Sequence, residues 1–437
     1  MASTFLTRTF GSAGNRQSWT WSGWIKKSKV YNSSASSDRE VWFGGYSASN
    51  DTDWLEFGTQ GDILFATSSA TSTTSTQVLR DVNGWYHALV NYNGSNLKFY
   101  INNELFKDST DFSGNRGINV AGKHTIGAIA TDQSIRRFNG VMSHVNFIDG
   151  TVYTPSAFGE YDANGVWKIK TSPSVTYGTN GFFILKDGNS VTDQSGNSNN
   201  FTVAGGTLTN TEDNPSNVFA TMNVLTLSAS QVNINKGNLS KTNTPTSNAW
   251  RSFYGTLGAS SGKYYWEFKV DLIESSDPNN IMVGIVDAEQ MVNTANNNYS
   301  STESRGYQYH AQTGNKINNG SQSSYGATYT AGDIIGIAVD LDNHKLYFHK
   351  NGTYQNSGDP TSGATGTGSA FDIATGYTYL PAFSQYYGNE HFSVNFGNGY
   401  FGTTAVASAG TNASGIGIFE YDVPSGYTAL STKGLNL

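Results

Sequence analysis

The sequence predicts an all-β protein of two β-sandwich domains joined by a β-rich connector. Three observations lead there. Charged residues make up only 14% of the 437, against about 25% in an ordinary domain, while Gly (49), Tyr (25) and Phe (24) are abundant. Glycine with Asn, Ser and Thr makes turns, and the aromatics favour strands and can fill a core, which sets the chain apart from a disordered one. A strand–turn–strand pattern occurs twice at a fixed spacing. No segment shows sustained helical periodicity or heptads, so a coiled-coil stalk is not expected.

Length and charge bound the rest. At about 150 residues per domain the chain has room for two to three domains with real cores. It has no cysteine, which excludes disulfides, thiolate catalysis and cysteine–zinc sites. The net charge of −7 argues against nucleic acid as the main partner, because phosphate binding needs a basic surface. No apolar run has the length of a membrane span, so no membrane insertion is expected. Met1-Ala2-Ser3-Thr4-Phe5-Leu6-Thr7-Arg8 lacks the apolar stretch of a signal peptide, so synthesis in a cytoplasm without export by that route is expected. The composition nevertheless looks extracellular.

The elements follow in chain order. The first sandwich is expected over 1–160. Within it, Tyr86–Asn103 reads YHALVNYNGSNLKFYINN, with alternate apolar residues on either side of Asn93-Gly94. The connector, 161–217, holds the strand-like Gly181-Phe182-Phe183-Ile184-Leu185, a polar run from Asp193 to Asn200, and Pro215 in a turn. The second sandwich is expected over 218–403. There Ile335–Gly352, IGIAVDLDNHKLYFHKNG, repeats the first hairpin without a gap at an offset of 249. Ala88, Val90, Tyr92, Leu97 and Phe99 fall on Ile337, Val339, Leu341, Leu346 and Phe348, and Val145-Asn146-Phe147 falls on Val394-Asn395-Phe396. Two sandwiches of related topology are inferred. A C-terminal extension, 404–437, is expected to be extended or docked.

The second half resembles a SPRY domain. Gly262-Lys263-Tyr264-Tyr265-Trp266-Glu267-Phe268-Lys269-Val270, Val283-Gly284-Ile285, Gly332-Asp333-Ile334-Ile335-Gly336 with Lys350-Asn351-Gly352, Leu380-Pro381-Ala382-Phe383-Ser384 and Val394-Asn395-Phe396-Gly397 follow that family's motifs in order. The first half resembles a laminin-G-like, concanavalin-type domain through Gly84-Trp85-Tyr86-His87 to Gly94 and Phe138-Asn139-Gly140 to Phe147. Met142-Ser143 departs from that pattern, where acidic residues are common. Both families are jelly-roll-like sandwiches.

The pairing of the two, with Trp19-Thr20-Trp21-Ser22-Gly23-Trp24, Thr154-Pro155-Ser156-Ala157-Phe158-Gly159 and Tyr421-Asp422-Val423-Pro424-Ser425-Gly426-Tyr427, is similar to virion proteins of tailed bacteriophages. That resemblance implies a non-enzymatic structural protein of the virion, either a tail fibre or receptor-binding appendage or a capsid decoration or head fibre. It implies other virion proteins as partners, attachment to host-surface glycans, and a homo-oligomer, with trimers common among such appendages. It also reconciles synthesis without a signal with a working life outside cells. The alternatives are a glycan-binding module of a secreted protein and a concanavalin-fold glycoside hydrolase.

Hydrolysis usually needs two placed carboxylates. The nearest approach to an E-x-D-x-x-E pattern is Lys269-Val270-Asp271-Leu272-Ile273-Glu274, where lysine takes the first acidic position. Glu267 lies on the same strand face as Lys269 and Asp271, expected to be the polar outer face of an ordinary strand. The histidines show no metal spacing and no HExxH; His344 and His349 flank one hairpin. No cofactor is called for, with structural calcium the one ion considered. Hard oxygens occur at Asp51 and Asp53 and, as the candidate metal set, at Asp193, Asn197 and Asn199. Turn chemistry explains the same residues without an ion. For carbohydrate or partner binding the candidates are Trp54, Tyr386 and Tyr387, since a ring buries against a sugar's apolar face while polar groups orient it.

Overall fold

The computed structural model describes residues 4–29, 35–47, 51–68, 72–186, 190–226, 233–242, 248–273, 279–291 and 302–437. The chain divides into two compact units. The first comprises 1–210 with 214–216, and the second 211–213 with 217–437. Both are β-sandwiches, and the fold is nearly all-β.

In the first unit, one sheet runs in the order Thr202–Gly205, Phe5–Phe10, Gly122–Ile126, Glu40–Tyr46, Thr52–Phe57, Asp62–Thr67, Ser72–Val78. The facing sheet runs Phe182–Ile184, Gly140–Asp149, Trp19–Lys27, Tyr86–Tyr92, Leu97–Ile101, Glu104–Ser109. In the second unit, one sheet runs Arg251–Tyr254, Tyr379–Gln385, Ile281–Asp287, Gly306–His310, Asn315–Asn318, Ser321–Ser324. The other carries, in its middle, His391–Asn395, Lys263–Leu272, Ile334–Asp340, Lys345–Lys350, Thr353–Tyr354. These orders correspond strand for strand. Phe5–Phe10 to Ser72–Val78 match Arg251–Tyr254 to Ser321–Ser324, and Gly140–Asp149 to Glu104–Ser109 match His391–Asn395 to Thr353–Tyr354. The repeat seen in the hairpin therefore extends to a whole sandwich.

The inward residues of the repeat are the cores. Ala88, Val90, Tyr92, Leu97 and Phe99 are buried in the first, and Ile337, Val339, Leu341, Leu346 and Phe348 in the second. The offset preserves that face but not the cross-strand register. Tyr92 faces Leu97 across the first hairpin, whereas Asp340 faces Lys345 across the second and Leu341 turns inward from the loop. The segment read as a connector supplies two edge strands to the first unit: Phe182–Ile184 pairs with Gly140–Asp149, and Thr202–Gly205 with Phe5–Phe10.

Each sandwich is also covered by the chain that follows strand Gly140–Asp149 in the first unit and His391–Asn395 in the second. In the first unit Tyr153, Ala157, Phe158, Val175 and Tyr177 lie against Leu89 and Ile148 on the outward face of the sheet. In the second, Phe419, Val423, Tyr427 and Ala429 lie against Tyr265, Ala338 and Tyr347, with Phe219 beside them. Leu89 and Ala338 are again 249 apart. Thr428–Ala429 adds a short parallel strand to Tyr264 and Tyr265, so the C-terminal extension is docked. We call these covering segments straps. They explain why strand Trp19–Lys27 is buried along its whole length, where a half-solvated strand would alternate.

Candidate functional site

The second strap and the sheet beneath it build the site. On strand Lys263–Leu272, Glu267 stands opposite Gly336, which stands opposite His349 on Lys345–Lys350. All three share the outward face. Gly336 leaves room for the imidazole: a Cβ there would sit 1.9 Å from His349 Nε2. His349 Nδ1 accepts the Gly352 N–H at 3.1 Å, which leaves its proton on Nε2, 2.6 Å from the Tyr265 hydroxyl oxygen. Tyr265 in turn donates to Glu267 Oε1 at 3.0 Å.

Glu267 is fully buried and holds the strap. Its carboxylate accepts the backbone N–H groups of Glu420 (2.9 Å) and Tyr421 (2.8 Å) and the amide of Asn395 (3.1 Å). Burial pushes its pKa up to about 7, against the pull of those donors. The same burial pushes His349 down to about 3, so the ring is neutral. The face expected to be the polar outer one is therefore sealed at Glu267. Asp271, farther along the strand, is exposed and accepts from Ser393, and Glu274 lies outside the described residues.

Above His349 opens a cleft of about 650 Å³. Tyr354 and Tyr421 meet His349 edge-on, with ring centroids at 5.3 and 5.2 Å. The walls are Gly352 and Thr353 from the hairpin end, Asp359 to Thr361, and Asp422 to Pro424 from the strap. Gly352 has φ +83°, and a Cβ there would press on the Tyr421 ring at 2.8 Å. Tyr427 ties strap to wall by donating to the Pro360 carbonyl at 3.0 Å. Each aspartate is oriented through one oxygen. Asp359 Oδ1 accepts the Thr361 hydroxyl (2.6 Å) and N–H (2.8 Å), and Asp422 Oδ1 accepts the Thr411 N–H (2.7 Å) and hydroxyl (2.8 Å). These bonds hold both carboxyls below the usual range, so both are ionised at neutral pH. Neither is poised to donate a proton, and both His349 nitrogens are engaged. The arrangement is suited to binding: two rings for an apolar surface and two fixed acceptors.

The residues singled out from sequence fall elsewhere. Trp54, half-buried in the first unit, has the Arg136 guanidinium 5.6 Å over its ring. Beside it the buried Glu56 carboxylate is held by Arg39 at 3.2 Å and Arg136 at 3.4 Å. Its ring is thus capped by its own unit. Asp51 pairs with Arg16 at 2.9 Å, while Asp53 turns inward to the Gly117 N–H and is pushed up to about 6 by burial. Tyr386 and Tyr387, in the second unit, are half-buried and edge-on to each other at 5.0 Å, with Trp250 at 5.6 Å from Tyr386. Their loop closes over Glu390, which accepts the Tyr387 N–H at 3.1 Å. They do not line the cleft.

Asp193, Asn197 and Asn199 do come together, as a turn. Asp193 Oδ1 accepts the Phe183 and Ser195 N–H groups, and Oδ2 the Ser195 hydroxyl and Asn199 N–H, at 2.7–2.9 Å. Asn197 and Asn199 each donate to the Gly181 carbonyl, at 2.9 and 2.8 Å. N–H and O–H donors already fill the carboxylate's lone pairs, so the turn closes without an ion. Among the described residues no group of three or more His, Cys, Asp or Glu side chains is placed to hold a metal. Chelation by EDTA is accordingly expected to leave the first unit's melting temperature unchanged; a fall that calcium restores would refute this.

Sequence reasoning missed the cleft. Its signal was present in Tyr264-Tyr265-Trp266, since three consecutive aromatics on a strand leave no polar face.

The fold is a pair of sandwiches, one concanavalin-like and one of the SPRY type. The family model described as the SPRY domain matches residues 263–399, and that of the Concanavalin A-like lectin/glucanases superfamily matches residues 5–156. The strap residues that wall the cleft lie beyond the SPRY match. Over 97 residues the chain is 33% identical to Ran-binding protein 9 and 34% identical to Ran-binding protein 10 of Danio rerio, covering 22% of this chain and 15% of each relative. It is 33% identical to the human Ran-binding protein 9, covering 12% of that protein. Among solved structures, the SPRY domain of human HERC1 is 19% identical, with 37% of this chain and 91% of that one covered at a TM-score of 0.30. A putative carbohydrate binding protein from Bacteroides ovatus is 17% identical, with 47% and 59% covered at a TM-score of 0.30. No helix among the described residues is long and apolar enough to cross a membrane.

Proposed function

We propose that the chain is a non-catalytic attachment scaffold of a tailed-phage virion surface, and that the cleft of the second unit takes a saccharide of the host surface. The observation that carries this reading is the pairing of Tyr354 and Tyr421 with the oriented carboxylates of Asp359 and Asp422 in one cleft. A sugar ring lays its C–H face on an aromatic ring while its hydroxyls meet fixed acceptors. Rigid sandwiches position such loops. Copies in a homo-oligomer on a particle, held by capsid or tail proteins, convert weak contacts into avidity.

Glycan-array binding of the full chain, followed by immuno-electron microscopy of virions, tests the proposal. Tyr421→Ala is expected to weaken the best glycan at least tenfold, about 1.4 kcal/mol, with the melting temperature checked alongside. A blank array, or turnover of the bound glycan, would overturn the reading. Absence from particles would remove the virion assignment and leave a free binding module. Similarity to proteins named Ran-binding supports a protein ligand as the second reading, which a blank array would bring forward.

A further inference from the structure

The electrostatic character of the cleft narrows its ligand. Asp359 and Asp422 each bind a threonine through Oδ1, and Oδ2 of each accepts no hydrogen bond among the described residues. Among the described residues no lysine, arginine or charged histidine lines the cleft. The lysines on the strands below are committed elsewhere: Lys345 to Asp372, Lys350 to Asp333 at 3.0 Å, and Lys263 to Asp340 at 2.9 Å. Tyr354, which lines the cleft, also buries its hydroxyl without a protein partner. Unused carboxylate oxygens accept and never donate, so they call for a ligand rich in O–H donors. An anionic group would enter beside two fixed negative charges with no cation to meet it, a loss that specificity by repulsion exploits.

We infer that the cleft selects uncharged saccharides and rejects anionic ones, those bearing sialic acid, uronate, sulfate or phosphate. This rests on the glycan-binding reading of the same cleft. Recognition runs through sugar hydroxyls donated to Asp359 and Asp422 and a sugar face on Tyr421 or Tyr354.

The test is a matched pair: a neutral oligosaccharide drawn from the array hits and the same oligosaccharide carrying a terminal sialic acid, titrated calorimetrically against the full chain at 50 and 500 mM NaCl. The neutral sugar is expected to bind at least tenfold more tightly, with an affinity that moves less than twofold with salt. Asp422→Asn removes a charge on an exposed side chain, so it endangers folding little; Oδ1 keeps the Thr411 bonds while the ligand-facing oxygen becomes an N–H donor. It is expected to weaken neutral binding at least threefold and to narrow the gap to the sialylated partner. Tighter binding of the sialylated sugar, or neutral binding untouched by Tyr421→Ala, would overturn the inference while glycan binding stood. Binding that collapses at 500 mM NaCl would point to a cationic sugar and overturn it equally. If no glycan of either kind bound, the glycan-binding reading itself would fall and take the inference with it.

Discussion

Glu267→Gln is expected to release the C-terminal strap and destabilise the second unit by about 2–5 kcal/mol. The carboxylate receives four donors: Tyr265 and the Tyr421 N–H on one oxygen, the Glu420 N–H and Asn395 on the other. An amide presents one acceptor and one donor group. Whichever way it turns, one pair of donors faces N–H instead of oxygen. Buried donors left unpaired cost about 1–3 kcal/mol each, and Glu267, Tyr265 and Asn395 are fully buried. At roughly 2–4 °C per kcal/mol for a unit of this size, the melting temperature should fall by about 5–15 °C. Amide exchange should accelerate along 419–429, and sugar binding should weaken, because Tyr421 is the residue whose backbone Glu267 holds. Glu267 is in this sense a positioning residue. The exposed Asp271→Asn, on the same strand, should change stability by less than about 0.5 kcal/mol. A Glu267→Gln protein that melts as the parent does, with its strap still protected, would contradict the clamp.

Acid should act unequally on the two units. In the first, His87 is pushed down to about 3 and His124 to about 4 by burial. His87 lies between Trp24 (5.2 Å) and Trp167 (5.9 Å), and its Nδ1 accepts the Trp167 indole N–H. His124 Nε2 accepts the Asn119 N–H. Neither ring has a site for a second proton. A base with a depressed folded pKa supplies stability that is lost as pH falls from the unfolded value of about 6.5 toward the folded one, so by pH 5 each has lost about 2 kcal/mol. Asp53, raised to about 6, gives back about 1 kcal/mol over that range, and Glu56, also raised by burial, acts in the same direction. In the second unit His310 and His349 act as His87 does, but Glu267 and Glu390, both raised to about 7, oppose them, since an acid with a raised folded pKa stabilises as pH falls. Calorimetry at pH 7 and pH 5 should show the first unit's transition falling by about 6–12 °C and the second's moving much less. Parallel movement of both would show that these burial shifts do not control acid stability.

Much of this fold is written in alternation and turns. The Asn93-Gly94 and Asp342-Asn343 turns, the inward rows around Val90 and Val339, and the edge strand at Phe182–Ile184 all declare themselves locally, through residue spacing and the glycine or asparagine that a tight turn demands. The straps do not. Phe419, Val423 and Tyr427 lie on an irregular path whose only logic is the surface beneath. Nor could alternation place His349 beside Tyr265, because that meeting depends on cross-strand register, and the two hairpins differ in register at equal spacing. Trp54 and the Tyr386–Tyr387 pair were legible as aromatics near polar groups, but what covers Trp54 is Arg136, from a loop far along the chain. The cleft residues became a group only when the chain beyond the last core strand returned to the sheet.

That return sets the size of the piece that can be inherited or exchanged intact. A gene segment ending at Asp149, or at Asn395, would carry a sandwich with Leu89 and Ile148, or Tyr265 and Ala338, turned to water, a patch prone to self-association. One that continued through residue 205, past the first strap and the edge strands Phe182–Ile184 and Thr202–Gly205, or through residue 429, would carry its own cover. Shuffling of such modules between proteins should therefore leave its seams after the straps, outside the spans that sequence families draw around the sandwiches.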